Sequence, residues 1–165
     1  MLRALPLLFL LGVLAAGCGG ETGTAAEENS RLADKTLPVD EYVRRADDIC
    51  RDVVRRVVKL HSRVQGSSSP DEVADALEQQ LEIVREMEAR LEALGSPEGK
   101  QEIAEEFVAD IRDAEPHLER TISAMREGDQ ERANEAAQRY REASLESARQ
   151  VQNSGLDFEV CGSGV

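Results

Sequence analysis

The chain has 165 residues, enough for one domain of ordinary size. Acids outnumber bases 33 to 20, a formal net charge of −13, which argues against a nucleic-acid backbone as partner. Two Tyr, three Phe and no Trp offer little to stacked bases or sugars, while a hydrophobic fraction of 41% suffices for a core and argues against wholesale disorder.

The first segment reads as an address outside the fold. Arg3 supplies a short positive region, and an apolar run from Leu5 to Leu14 follows, broken only by Pro6 and Gly12. It is too short to span a bilayer and ends in small residues, the pattern of a cleaved signal peptide over residues 1–17. Val13-Leu14-Ala15-Ala16-Gly17-Cys18 resembles the lipobox of bacterial lipoproteins, with Ala15 where that family most often has Leu. The resemblance implies cleavage between Gly17 and Cys18, a diacylglycerol on the Cys18 thiol and further acylation such as palmitate. It also implies anchorage on the extracytoplasmic face of the cell membrane. Each buried methylene of such chains contributes roughly 0.8 kcal/mol. The acidic body is repelled by anionic lipid, so the expected membrane contact is the anchor alone.

Residues 18–38 are then the lipidated cysteine and a tether. From Gly19 to about Thr36 the composition is mostly Gly, Thr, Ala, Glu and Asn, and about twenty such residues span ~25 Å root-mean-square. Pro38 marks entry into an ordered body over residues 39–165.

Four helices are expected in that body. The first covers roughly residues 40–65, with Val43, Ala46, Cys50, Val53, Val57, Leu60 and Val64 at spacings of three and four and Ile49, Val54 and Val58 widening the stripe. Gly66-Ser67-Ser68-Ser69 breaks it. The second opens with Ser69 as N-cap, Pro70 in the first turn and Glu72 closing a capping box. It carries Leu77, Leu81, Val84, Met87, Leu91 and Leu94 and stops at Gly95. Ser96-Pro97-Glu98 is expected to start the third in the same way, about two residues later, which makes these two helices antiparallel neighbours. The third carries Ile103, Phe107, Ile111, Ala114, Leu118, Ile122 and Met125, with a kink expected at Pro116. Gly128-Asp129 ends it and caps the fourth, whose Ala133, Ala136, Ala137, Tyr140, Ala143, Ala148 and Val151 permit close approach to a partner. No alternating run suggests a sheet. The fold class is all-α, an antiparallel up-down-up-down four-helix bundle, with Leu156, Phe158 and Val160 in an extended C-terminal tail.

Once Cys18 is lipidated, Cys50 and Cys161 remain, and an even pair outside the cytoplasm favours a disulfide over two free thiols. The fourth helix ends near the start of the first, and the tail can climb back to Cys50. The segment Arg45-Ala46-Asp47-Asp48-Ile49-Cys50, with Gly155-Leu156 and Cys161-Gly162, resembles small helical lipoproteins of high-GC Gram-positive bacteria, as does the excess of Arg over Lys. That resemblance implies location and shape, not activity.

Catalytic and metal chemistry find no pattern. A ferritin-like di-iron bundle needs Glu-x-x-His on two helices, but Val58 and Ala114 stand three residues before His61 and His117. No covalent haem motif, nucleophile elbow or phosphate loop occurs, so no enzyme activity, metal or cofactor is expected. Glu98, Glu102, Glu106 and Asp110 recur at intervals of four, as do Glu78, Glu82 and Glu86 before Arg90. They are expected to form a broad acidic strip, solvating the body or docking a cation, with Arg85, Arg90 and Arg112 interrupting it. The expected function is a monomeric, non-catalytic binding or interaction module with an envelope partner. The alternative is a carrier or sensor holding a small apolar ligand or cation in or on the bundle. A packed core favours the first, an open apolar pocket the second.

Overall fold

The computed structural model describes residues 35–67 and 69–163. The expected cleavage at Gly17 and lipidation at Cys18 lie outside them. The chain runs β1 (Thr36–Leu37), α1 (Val39–Val64), α2 (Pro70–Leu94), β2 (Ser96–Pro97), α3 (Gln101–Arg126) and α4 (Gln130–Asn153). The four long helices form the expected all-α bundle, α1 packing on α2, α2 on α3 and α3 on α4. Among the described residues no helix is long and apolar enough to cross a membrane.

Helix starts follow local chemistry. Ser69 accepts the Glu72 backbone N–H at 3.4 Å, and Asp129 accepts that of Arg132 at 3.0 Å, each satisfying a donor that the first turn leaves free. The expected capping box is relayed through one more residue. Ser67 donates its hydroxyl to the Glu72 carboxylate at 2.5 Å and accepts the Ser69 backbone N–H at 3.1 Å. α3 continues through Pro116.

One helix start is corrected. Ser96 does not cap α3, which begins at Gln101. Ser96–Pro97 instead pairs in parallel with Thr36–Leu37, through Ser96 N–H to Lys35 O at 3.0 Å and Glu98 N–H to Leu37 O at 2.8 Å. Gly95 makes this possible. Its φ is +87°, and a Cβ there would stand 2.0 Å from the Lys35 carbonyl oxygen, so backbone approaches where any side chain would collide. Thr36 and Leu37, expected at the end of a tether, are tied to the bundle, with Leu37 buried in its core.

Three seams hold the helices in different ways. Alanines serve α3–α4, where Ala114, Ala124, Ala133 and Ala136 are buried. Arginine pairs stitch α2–α3: Arg85 reaches Glu115 and Glu119, Arg112 reaches Glu88 and Glu92, and Arg126 reaches Asp75 and Glu78. On α1–α2, Arg56 meets Glu86 at 2.7 Å and Arg90 meets Asp52 at 3.0 Å. The Arg90 and Arg55 hydrogen bonds lower the Asp52 pKa below the usual carboxylate range.

The C-terminal tail returns to α1 and is fastened twice. Cys50 and Cys161 form a disulfide with 5.3 Å between their Cα atoms. One helical turn away, Asp47 is 4% exposed and accepts the backbone N–H groups of Glu159, Val160 and Cys161 at 2.8, 2.9 and 3.0 Å. Asp47 and Cys50 are three residues apart on one helix face, so the two fastenings share a short stretch of tail. Leu156 is buried, and Phe158 and Val160 pack against the same core.

Candidate functional site

The core is not continuous from end to end. In the half nearest the tail, one cluster takes Tyr42 and Ile49 from α1, Leu91 from α2, Phe107 from α3, Val151 from α4 and Leu156 from the tail. In the other half the core forks. Val53 and Leu60 of α1 pack with Ala76 and Ile83 of α2, while Leu81 of α2 packs with Leu118 and Ile122 of α3 beside Tyr140 of α4. In this half α1 and α4 share no core cluster, and along their length they scarcely approach each other.

A groove of about 470 Å³ opens along this fork. Val53, Val54 and Val57 form its α1 wall, and Ser144, Leu145, Ser147 and Ala148 its α4 wall. Val84 and Met87 of α2 and Phe107, Ile111 and Ala114 of α3 line its floor, and Val160 and the disulfide close one end. Leu145 is 42% exposed, and Val58, next to Val57, is 54% exposed. The small side chains on α4 leave the width of the groove unfilled, so the half-buried Val54 and Val57 border it from α1.

A polar chain crosses the groove's other end. His61 Nε2 lies 2.7 Å from Gln80 Oε1. An amide oxygen only accepts, so the imidazole N–H donates. Gln80 in turn donates from Nε2 to the Tyr140 hydroxyl at 3.3 Å, satisfying an amide that the helices bury. The exposed rim residue Arg141 makes no salt bridge among the described residues.

A second cavity, about 270 Å³, lies among the start of α1, α3, the end of α4 and the tail. Tyr42, Phe107 and Phe158 line it together with Glu106 and Asp110. The Tyr42 and Phe158 rings meet edge-on at 6.4 Å between centroids, and Phe107 and Phe158 stand at 6.1 Å. Tyr42 is 0% exposed, and its hydroxyl and Asp110 Oδ2 are buried without hydrogen-bond partners. Burial pushes the Tyr42 hydroxyl pKa up to about 12. The Asp110 carboxyl is raised, first by desolvation and then by the charges of Glu106, Asp113 and Glu146. Phe107 and Asp110 line both this cavity and the groove.

The acidic ladders do not assemble as expected. Glu98 precedes α3 instead of belonging to it. Glu78 pairs with Arg126 of α3, whereas Glu86 pairs with Arg56 of α1. Residues eight apart on a helix diverge by about 80°, so the two glutamates serve different seams. Glu106 and Asp110 face the second cavity. The histidines are not brought together, since His117 Nδ1 lies 3.2 Å from Arg120 in its own helix. Among the described residues no group of three or more His, Cys, Asp or Glu side chains is placed to hold a metal ion. Asp47, Gln80 and Tyr42 were missed by sequence reasoning, although each is a polar group on an apolar face. No family model, curated protein or solved structure matches the chain.

Proposed function

We propose that this protein is a lipid-anchored, extracytoplasmic, non-catalytic carrier that holds a small apolar molecule in the α1–α4 groove. One observation carries the reading: a valine-, methionine- and phenylalanine-lined groove of about 470 Å³ opens to solvent where the core forks. Small-molecule sites fall in the range of about 300–1,000 Å³, mostly apolar with a few placed polar groups. Gln80, Tyr140 and Arg141 are such groups here. The packed α3–α4 seam supports an interaction module instead, but it presents no comparable apolar surface. Anchorage rests on the sequence from Val13 to Cys18.

Binding of the neutral apolar probe N-phenyl-1-naphthylamine tests the carrier. Fluorescence should rise and saturate near one probe per chain. Ser144→Trp, which fills the groove from the α4 wall, should abolish the rise without lowering the melting temperature. A chain that binds no probe, or a Ser144→Trp chain that binds it as well, would sink the carrier reading. Anchorage is tested separately by palmitate labelling, which Cys18→Ala should remove.

A further inference from the structure

The second cavity combines features that the groove lacks. Three of the chain's five aromatic rings line it (two Tyr and three Phe in the whole sequence). Its charged lining residues are the acids Glu106 and Asp110, and no Lys or Arg lines it. Tyr42 is wholly buried, and its hydroxyl has no partner. Asp110 Oδ2 is buried and unpartnered too. An unpaired buried donor and acceptor are both costly, and both residues line the same cavity. Ordered water is the plain way to satisfy them. The rings belong to the core, and they also give the cavity a lining that water makes no use of. Aromatic faces attract cations, quaternary ammonium groups above all, and the attraction strengthens when the site is dry.

We propose that this cavity is a binding site for a small organic ammonium that also carries an oxygen, an amino alcohol of the choline type. The ammonium lies against Phe107 and Phe158 with Asp110 as counter-charge, and the ligand oxygen accepts the Tyr42 O–H. A cation without oxygen would leave that hydroxyl unpaired, and a neutral alcohol would leave Asp110 so. At about 270 Å³ the space suits a ligand smaller than those of drug-sized pockets. Phe107 and Asp110 also line the groove, but Tyr42 and Phe158 line this cavity and not the groove. A raised Asp110 pKa, caused first by desolvation, accords with a carboxylate that lacks its counter-ion.

Calorimetry on the purified full-length chain tests it with three probes. These are choline, tetramethylammonium and the neutral isostere 3,3-dimethylbutan-1-ol. Choline should bind, and the isostere at least roughly tenfold more weakly, since it lacks the charge that the rings and Asp110 attract. Asp110→Asn should weaken choline by roughly tenfold or more. Tyr42→Phe should weaken choline several-fold and leave tetramethylammonium unchanged. Both substitutions keep side-chain shape, and thermal unfolding confirms that each variant folds. Any one of four results overturns the proposal: no choline binding up to about 10 mM, equal binding of the isostere, undiminished choline affinity in Asp110→Asn, or undiminished choline affinity in Tyr42→Phe.

Discussion

Replacing Asp47 by Asn is the sharpest perturbation of the tail. The carboxylate accepts three backbone N–H groups, two on Oδ1 and one on Oδ2. The amide keeps one acceptor oxygen and presents an NH₂ where the other stood. With the amide oxygen at the Oδ1 position, the bonds from Val160 and Cys161 survive as neutral ones, each weaker by about 1 kcal/mol. The Glu159 N–H then faces another donor, and an unsatisfied group of this kind costs about 1–3 kcal/mol. Allowing for partial relief by water, the loss is about 3 kcal/mol. For a body of about 130 residues, with unfolding entropy near 2.1 cal/mol/K per residue, that lowers the melting temperature by about 10 °C. Circular dichroism at 222 nm during heating reads it, with the disulfide intact in both proteins. A drop of less than about 2 °C would refute the reasoning, showing that the three amides find water as readily as they find Asp47.

Other expectations follow from the same structure. Cys50→Ala with Cys161→Ala opens a bridge between residues 111 apart, which the chain-entropy model puts at about 5 kcal/mol; urea unfolding should show it, and added reductant should lower the wild-type midpoint in the same direction. Tyr42→Phe removes a buried hydroxyl that has no partner and should raise stability by about 1 kcal/mol in ligand-free protein, measured by urea midpoint. Gly95→Ala drives a methyl into the Lys35 carbonyl and should release residues 35–37, seen as faster amide exchange at Ser96 and Glu98. Because the folded-state pKa of Asp110 is raised, its contribution to stability is greatest when protonated and is lost as pH rises through that pKa. Asp110→Asn should therefore raise the melting temperature at pH 7 more than at pH 4, and an equal change at both would refute the assignment.

The helices were legible because each carries an apolar stripe of period 3.6 between strong punctuation. Ser69-Pro70 and Gly128-Asp129 mark boundaries by chemistry that acts within one turn. The disulfide followed from parity and helix direction. The β1–β2 pairing was not legible, since two residues carry no periodicity and the pairing depends on a glycine meeting a backbone 60 residues earlier. Ser96-Pro97 imitates a helix start, and only the long-range bond to Lys35 decides otherwise. Asp47 and Gln80 did leave a signal, each a polar residue at core spacing. The groove left none, because Val54 and Val57 look the same in sequence whether a helix covers them or leaves them half-buried.

The parallel pairing of Thr36–Leu37 also sets a polarity. It fixes the point where the N-terminal segment joins the body at the pole where all four helices share one core. α1 then carries the chain about 39 Å away from that point. If the chain is anchored at Cys18 as proposed, the anchored segment joins the body at the closed pole, with the fork at the far pole. On that proposal the groove, which reaches from the disulfide to Gln80 and Tyr140 with Arg141 on its rim, runs away from the join.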